Sequence, residues 1–213
     1  MSKVVAIMGE SGAGKTTSMR NLNPAETYYI DCDKKGLSWK GWREQYNAKN
    51  KNYKQVDAAN KITDIIVGIS EKCPDIKYII VDTINGIMVG DEMRRAKEKG
   101  FDKWVDLAQC MWDLVDQAPT YRDDLTIIFI AHTQTERDDS GFMFTRIKTS
   151  GKKIDKICLE SKFTTVLYAR AVGGKYIFET HAKNSTAKTP LGAFQEDEIE
   201  NDIVQVLERL KEF

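Results

Sequence analysis

Short apolar runs alternate with segments of helical period, which predicts an α/β fold with a mainly parallel central sheet flanked by helices and a β-hairpin near the C-terminus. Three observations carry this prediction. Residues 4–8, 77–82 and 125–131 hold continuous apolar stretches that suit strands buried on both faces. Residues 58–70 and 102–117 place apolar side chains at helical spacing between those runs. A glycine-rich loop, Gly9, Glu10, Ser11, Gly12, Ala13, Gly14, Lys15, Thr16, follows the first run without a break.

That loop reads GESGAGKT and matches G-x-x-x-x-G-K-[ST] at every fixed position. A strand enters it, and residues 17–22, beginning with Thr17, are expected to open a helix. Backbone N–H groups and a helix N-terminus then face one small volume, where an anion is favoured. Gly12 and Gly14 let the backbone approach closely, Lys15 reaches the outer phosphates, and Thr16 offers a hydroxyl to Mg²⁺. The ligand this chemistry fits is a nucleoside triphosphate, ATP, with Mg²⁺.

Further along, residues 27–30 form a second β-rich run that ends in Asp31, Cys32 and Asp33, and Lys34-Lys35-Gly36 turns the chain. Residues 37–55 hold Trp39, Trp42, Tyr46 and Tyr53 among lysines and an arginine, and are expected to be a loop pinned by its aromatic rings. Ile62, Ile65, Ile66 and Ile69 line one side of the next helix, which Cys73-Pro74-Asp75 stops. In the segment 102–117, Trp104, Leu107, Ala108, Met111, Trp112 and Val115 make a broad core-facing stripe. Beyond His132 the pattern becomes β-rich: strands are expected over 142–148, 164–171 and 175–180, the last two joined by Val172-Gly173-Gly174. A helix over 198–210 closes the chain.

At 213 residues the whole sequence, 1–213, fits one domain. Lys plus Arg is 32 and Asp plus Glu is 32, so any nucleic-acid surface must be a local patch. The four cysteines, at 32, 73, 110 and 158, lack metal-ligand and disulfide spacing. No apolar run approaches the roughly 18 residues that span a bilayer, so a cytoplasmic protein without membrane contact is expected.

Asp82 ends an apolar strand, and open parallel sheets bind ligands beyond the carboxyl ends of their strands. Together with Thr16 it is the candidate holder of Mg²⁺. Asp31 and Asp33 compete for the role of positioning an attacking water. The succession GESGAGKTT, YYIDCD, YIIVDT, IIFIAH resembles the RecA-type ATPase core, and more narrowly phage Sak-type single-strand annealing ATPases. The resemblance implies that Asp33 stands at the catalytic carboxylate position, usually Glu, and that His132 stands at the sensor position, usually Gln. It implies ATP hydrolysis stimulated by DNA, recombination or annealing in the cytoplasm of a phage host, and a ring or filament with nucleotide between subunits. Lys183 or Lys188 would then approach a neighbour's nucleotide.

Between residues 146 and 175 there are eight basic residues against two acidic ones. Arg137, Phe142, Phe144, Arg146, Lys148, Lys152 and Lys153 combine charge for phosphates with rings for bases, the mix that binds single-stranded DNA. The resemblance places a second DNA loop near residues 85–100, with Arg94 and Arg95. A single-strand-binding protein is a further possible partner. Two other functions fit the loop: a small-molecule P-loop kinase, and a nucleotide-dependent switch that hydrolyses slowly.

Overall fold

The computed structural model of the chain describes residues 1–100, 102–150 and 158–213. Among the described residues nine strands, β1 (Lys3–Gly9), β2 (Thr27–Asp31), β3 (Tyr53–Gln55), β4 (Tyr78–Asp82), β5 (Thr126–Arg137), β6 (Met143–Ile147), β7 (Thr165–Val172), β8 (Lys175–Glu179) and β9 (Glu198–Glu200), form the sheet. The order is β3-β2-β4-β5-β1-β7-β8-β9. The pairs from β3 to β7 are parallel, and β8 and β9 add antiparallel edges. The Gly173-Gly174 turn joins β7 to β8 as the sequence predicts, both glycines at positive φ.

Burial on both faces explains the continuous apolar runs. Ala6, Met8, Ile79, Val81, Ile127 and Phe129 face one core layer, under helices α2 (Ala59–Lys72), α3 (Ile84–Arg94) and α4 (Asp102–Gln117). Val5, Ile7, Ile80, Ile128 and Ile130 face the other, covered by α5 (Ile203–Arg209) and the aromatic loop. That loop contains the single-turn helix α1 (Trp42–Gln45). It is pinned by its rings: Tyr29, Trp39 and Tyr46 meet edge-on at 5.6 to 6.3 Å, and Trp42 lies 5.5 Å from Tyr53.

The structure corrects three expectations. Only a 3-10 turn, Thr17–Met19, follows the glycine-rich loop where a helix was expected. Pro24 lacks an N–H and disfavours a helical residue before it, so a helix has no room before β2 begins at Thr27. The expected DNA loop over 85–100 is largely α3, with Ile84, Asn85, Ile87 and Met88 buried. The expected closing helix is a strand followed by a shorter helix. Glu198, Ile199 and Glu200 alternate exposed, buried, exposed, and Asp202 caps α5 by accepting from the Val204 N–H at 3.0 Å. Ile199, Ile203 and Val206 had mimicked one helical stripe.

The sheet also extends beyond its parallel core. From Thr133 to Arg137, β5 leaves its parallel neighbours and pairs antiparallel with β6, making a projecting hairpin. Among the described residues, no helix is long and apolar enough to cross a membrane.

Phe129 is 1% exposed and packs edge-on against Phe163 at 5.8 Å. Phe129→Ala is expected to lower stability by about 3 to 5 kcal/mol in urea unfolding. A loss below about 1 kcal/mol would mean that this layer is not the core that holds the sheet.

Candidate functional site

The parallel strands deliver their C-terminal residues to one rim. Gly9 lies opposite His132 in the β1–β5 register, and Asp31 opposite Asp82 in β2–β4. The glycine-rich loop leaves β1 at this rim. Gly14 has φ +86°, and a Cβ there would come within 2.9 Å of the Tyr176 ring, so the position requires glycine twice over.

Lys15 folds back over the loop. Its Nζ donates to the carbonyls of Gly9 and Glu10, both at 2.8 Å. Burial lowers its pKa to about 8, although the Asp82 carboxylate pulls the other way. Thr16 Oγ1 donates to Asp82 Oδ2 at 2.7 Å, and the Tyr29 hydroxyl donates to the same oxygen at 2.6 Å. Asp82 is 1% exposed, and its Oδ1 has no hydrogen-bond partner among the described residues. Burial raises its pKa, against the hydrogen bond from Tyr29 and the charge of Lys35.

A buried carboxylate oxygen without a donor, beside a threonine hydroxyl, supplies the protein's share of the oxygens a hard divalent cation takes, with phosphates and waters left to complete the shell. Asp82 and Thr16 therefore fit Mg²⁺.

The competition between Asp31 and Asp33 takes a physical form here. Asp31 is 1% exposed, and its Oδ2 accepts from Gly36 N at 2.8 Å, the Tyr53 hydroxyl at 2.6 Å and Gln55 Nε2 at 3.1 Å. It holds the β2–β3 edge together. Asp33 sits nearer solvent: Oδ1 accepts from Thr83 Oγ1 at 2.9 Å, and Oδ2 pairs with Lys35 at 2.5 Å. Thr83 also caps α3 by accepting from the Gly86 N–H. A Cβ on Gly86 would meet Asp33 Oδ1 at 2.5 Å, so this glycine lets α3 start against the carboxylate.

His132 is half-buried, and burial together with the Lys15 charge lowers its pKa, leaving the ring neutral at pH 7. Its backbone N–H donates to Asn85 Oδ1 at 2.7 Å, while Asn85 Nδ2 donates to the Lys148 carbonyl at 2.8 Å. Thr133 Oγ1 donates to Glu10 Oε1 at 2.6 Å, fastening the loop to the base of the hairpin. On the other side of β1, a cleft of about 700 Å³ adjoins the loop, lined by Thr17, Arg20, Tyr176, Glu200 and Asn201 among others.

The proposed DNA residues are scattered by comparison. Arg94 pairs with Asp57 at 2.9 Å, and Arg95 with Glu98 at 2.8 Å and Asp106 at 3.0 Å, so both are held by carboxylates. Arg146 is turned inward, its side chain 11% exposed between Glu136 at 3.4 Å and Glu160 at 3.6 Å. On the hairpin, Phe142 is half exposed at its tip, Phe144 is half-buried, and Arg137 and Lys148 reach solvent. Lys152 and Lys153 lie outside the described residues. Sequence reasoning passed over Tyr29, Thr83, Asn85 and Tyr176; each was a plain strand, cap or turn residue until the fold brought it to the rim.

The AAA domain family matches the chain over residues 1–191, and the chain belongs to it. It is therefore a P-loop NTPase, a nucleotide-binding protein. No curated protein matches the sequence.

Lys15 must be charged to meet a triphosphate, and its pKa near 8 sets where that charge is lost. Nucleotide binding raises the pKa, so above about pH 8 binding takes up a proton and affinity falls with rising pH. The dissociation constant for Mg-nucleotide is expected to stay level between about pH 7 and 8 and then to rise by up to tenfold per pH unit. Calorimetric titrations across that range check it, and level affinity to about pH 9.5 contradicts it.

Proposed function

We propose that this AAA-domain protein is a RecA-like ATPase that hydrolyses ATP with Mg²⁺ and acts on single-stranded DNA in annealing or recombination, as the phage Sak-type proteins do. The observation that carries the ATPase reading is the convergence on Asp82, where one oxygen takes the Thr16 hydroxyl and the other is buried without a hydrogen-bond partner among the described residues. Bound there, Mg²⁺ would neutralise the charge that develops on the phosphates. Lys15 binds the outer phosphates, and the loop N–H groups cradle the inner ones. The metal-side carboxylates and His132 lie on the β4–β5 side of β1, so the nucleoside leaves toward the cleft on the β8–β9 side.

Asp33 is the group that positions the attacking water, because Asp31 already serves three donors inside the fold. The water oxygen bonds to the γ-phosphorus as the bond to the β–γ bridging oxygen breaks, with its electron pair staying on ADP. The water proton passes to Asp33 and then to solvent, leaving ADP and inorganic phosphate. His132, neutral and donating, senses the γ-phosphate.

For DNA, support comes from the hairpin that continues directly from His132 and exposes Phe142 and Met143 at its tip. Lys148 supplies charge at its base, and Lys152 and Lys153 follow it in the sequence. Nucleotide between subunits of a ring or filament, and a cytoplasmic setting, complete the reading.

Asp33→Asn should keep Mg-ATP binding and lower turnover by roughly 10²-fold or more. Asp31→Ala should instead lower the melting temperature, since three donors lose their acceptor. Equal stability and a turnover loss confined to Asp31→Ala would reverse the assignment. Phe142→Ala is expected to weaken single-strand binding by about 1 to 3 kcal/mol without changing its salt dependence. Unchanged affinity by fluorescence anisotropy would remove the hairpin tip from the DNA surface.

A further inference from the structure

The turn after β2 sorts two adjacent lysines. Lys34 stands at φ +57° and Gly36 at φ +81°, both left-handed, and the Gly36 N–H is pinned to the buried Asp31 carboxylate at 2.8 Å. A non-glycine residue keeps such a φ only where its surroundings hold it there. Its effect is directional. Lys34 points out to Asp57 at 2.8 Å, while Lys35 points into the rim, with Nζ 2.5 Å from Asp33 Oδ2.

Lys35 has the properties of a movable cation. Its side chain is 49% exposed, and among the described residues it donates to Asp33 alone. It shares one electrostatic field with the phosphate loop: its charge lowers the pKa of Lys15, Asp82 and His132 alike. Lys15 alone brings a single charge to a triphosphate that carries several. Asp33, meanwhile, has one oxygen on Thr83 and the other covered by Lys35, and needs that second oxygen to take a water proton.

We propose that Lys35 is a catalytic residue that leaves Asp33 for the γ-phosphate of the bound triphosphate, and returns when that phosphate has gone. One movement then supplies a second cation to the transferring phosphoryl group and uncovers the carboxylate that receives the proton. Bonds and charges in the hydrolysis are those given above: Lys35 donates hydrogen bonds and neither gains nor loses a proton. The proposal rests on the nucleotide site of the preceding subsection.

The test compares the parent with Lys35→Ala and Lys35→Arg. It measures binding of Mg-ADP and of Mg-bound β,γ-imido ATP, which carries a γ-phosphate but resists hydrolysis, and then steady-state ATP turnover. Lys35→Ala is expected to bind ADP as the parent does, to bind the imido analogue about tenfold more weakly, and to turn over about 10²-fold more slowly. Lys35→Arg should restore most of the analogue affinity. The proposal is overturned if Lys35→Ala keeps the parent's ratio of analogue to ADP affinity, or if its turnover equals or exceeds the parent's. A parent that binds neither nucleotide defeats the nucleotide-site reading itself, and this proposal with it. Lys35→Gln, which keeps the stem without the charge, serves if the alanine variant unfolds, and the same affinity ratio decides.

Discussion

The site depends on the expense of burying one carboxylate. Asp82 lies at the end of β4, 1% exposed, where an isolated negative charge is strongly disfavoured. Two hydroxyls offset part of that penalty, and each belongs to a different element: Thr16 to the phosphate loop and Tyr29 to β2. Tyr29 is at the same time the centre of the aromatic cluster with Trp39 and Tyr46. A single residue thereby sets the position of the loop, the neighbouring strand and the packing beneath them. The penalty is not fully offset, since burial still raises the pKa of Asp82 and lowers that of Lys15. Opposite charges held in this condition favour whatever brings both a cation and phosphates.

The sequence made the sheet legible because burial on both faces leaves a simple mark. Residues 4–8, 78–81 and 127–131 are apolar without alternation, and they became three adjacent strands of the sheet. The phosphate loop was equally plain, its spacing being dictated by close contact between backbone and phosphate. What failed to show was anything decided by distant partners. Ile199, Ile203 and Val206 fit a helix, yet pairing with β8 made Ile199 part of a strand. The turn at residues 17–19 was settled by Pro24 and by contacts to residues 201 and 202. Asp31 and Asp33 are alike in sequence and differ only once Tyr53, Gln55 and Gly36 converge on the first.

The hairpin shows how closely the rim and the projecting strands are joined. The start of α3 brings together its cap Thr83, which holds Asp33, and Asn85, which holds the backbone of both His132 and the residue that follows β6. On the opposite flank Glu10 reaches Thr133. Each link is a part-buried hydrogen bond, partly shielded from competition with water. Any displacement at Gly9 or Glu10 is therefore felt within two residues of the hairpin's base.

The short turn after the phosphate loop has a consequence for where this molecule can be cut. A long helix would anchor the loop by itself, but three residues of 3-10 turn do not. The bracing is borrowed from the far end of the chain: Arg20 donates to the Asn201 carbonyl at 2.9 Å, and Asn21 to the Asp202 carboxylate at 2.6 Å. The family match ends at residue 191, before either partner. The smallest fragment that folds with a competent loop is therefore longer than the family boundary, and must retain the terminal strand and helix as a buttress.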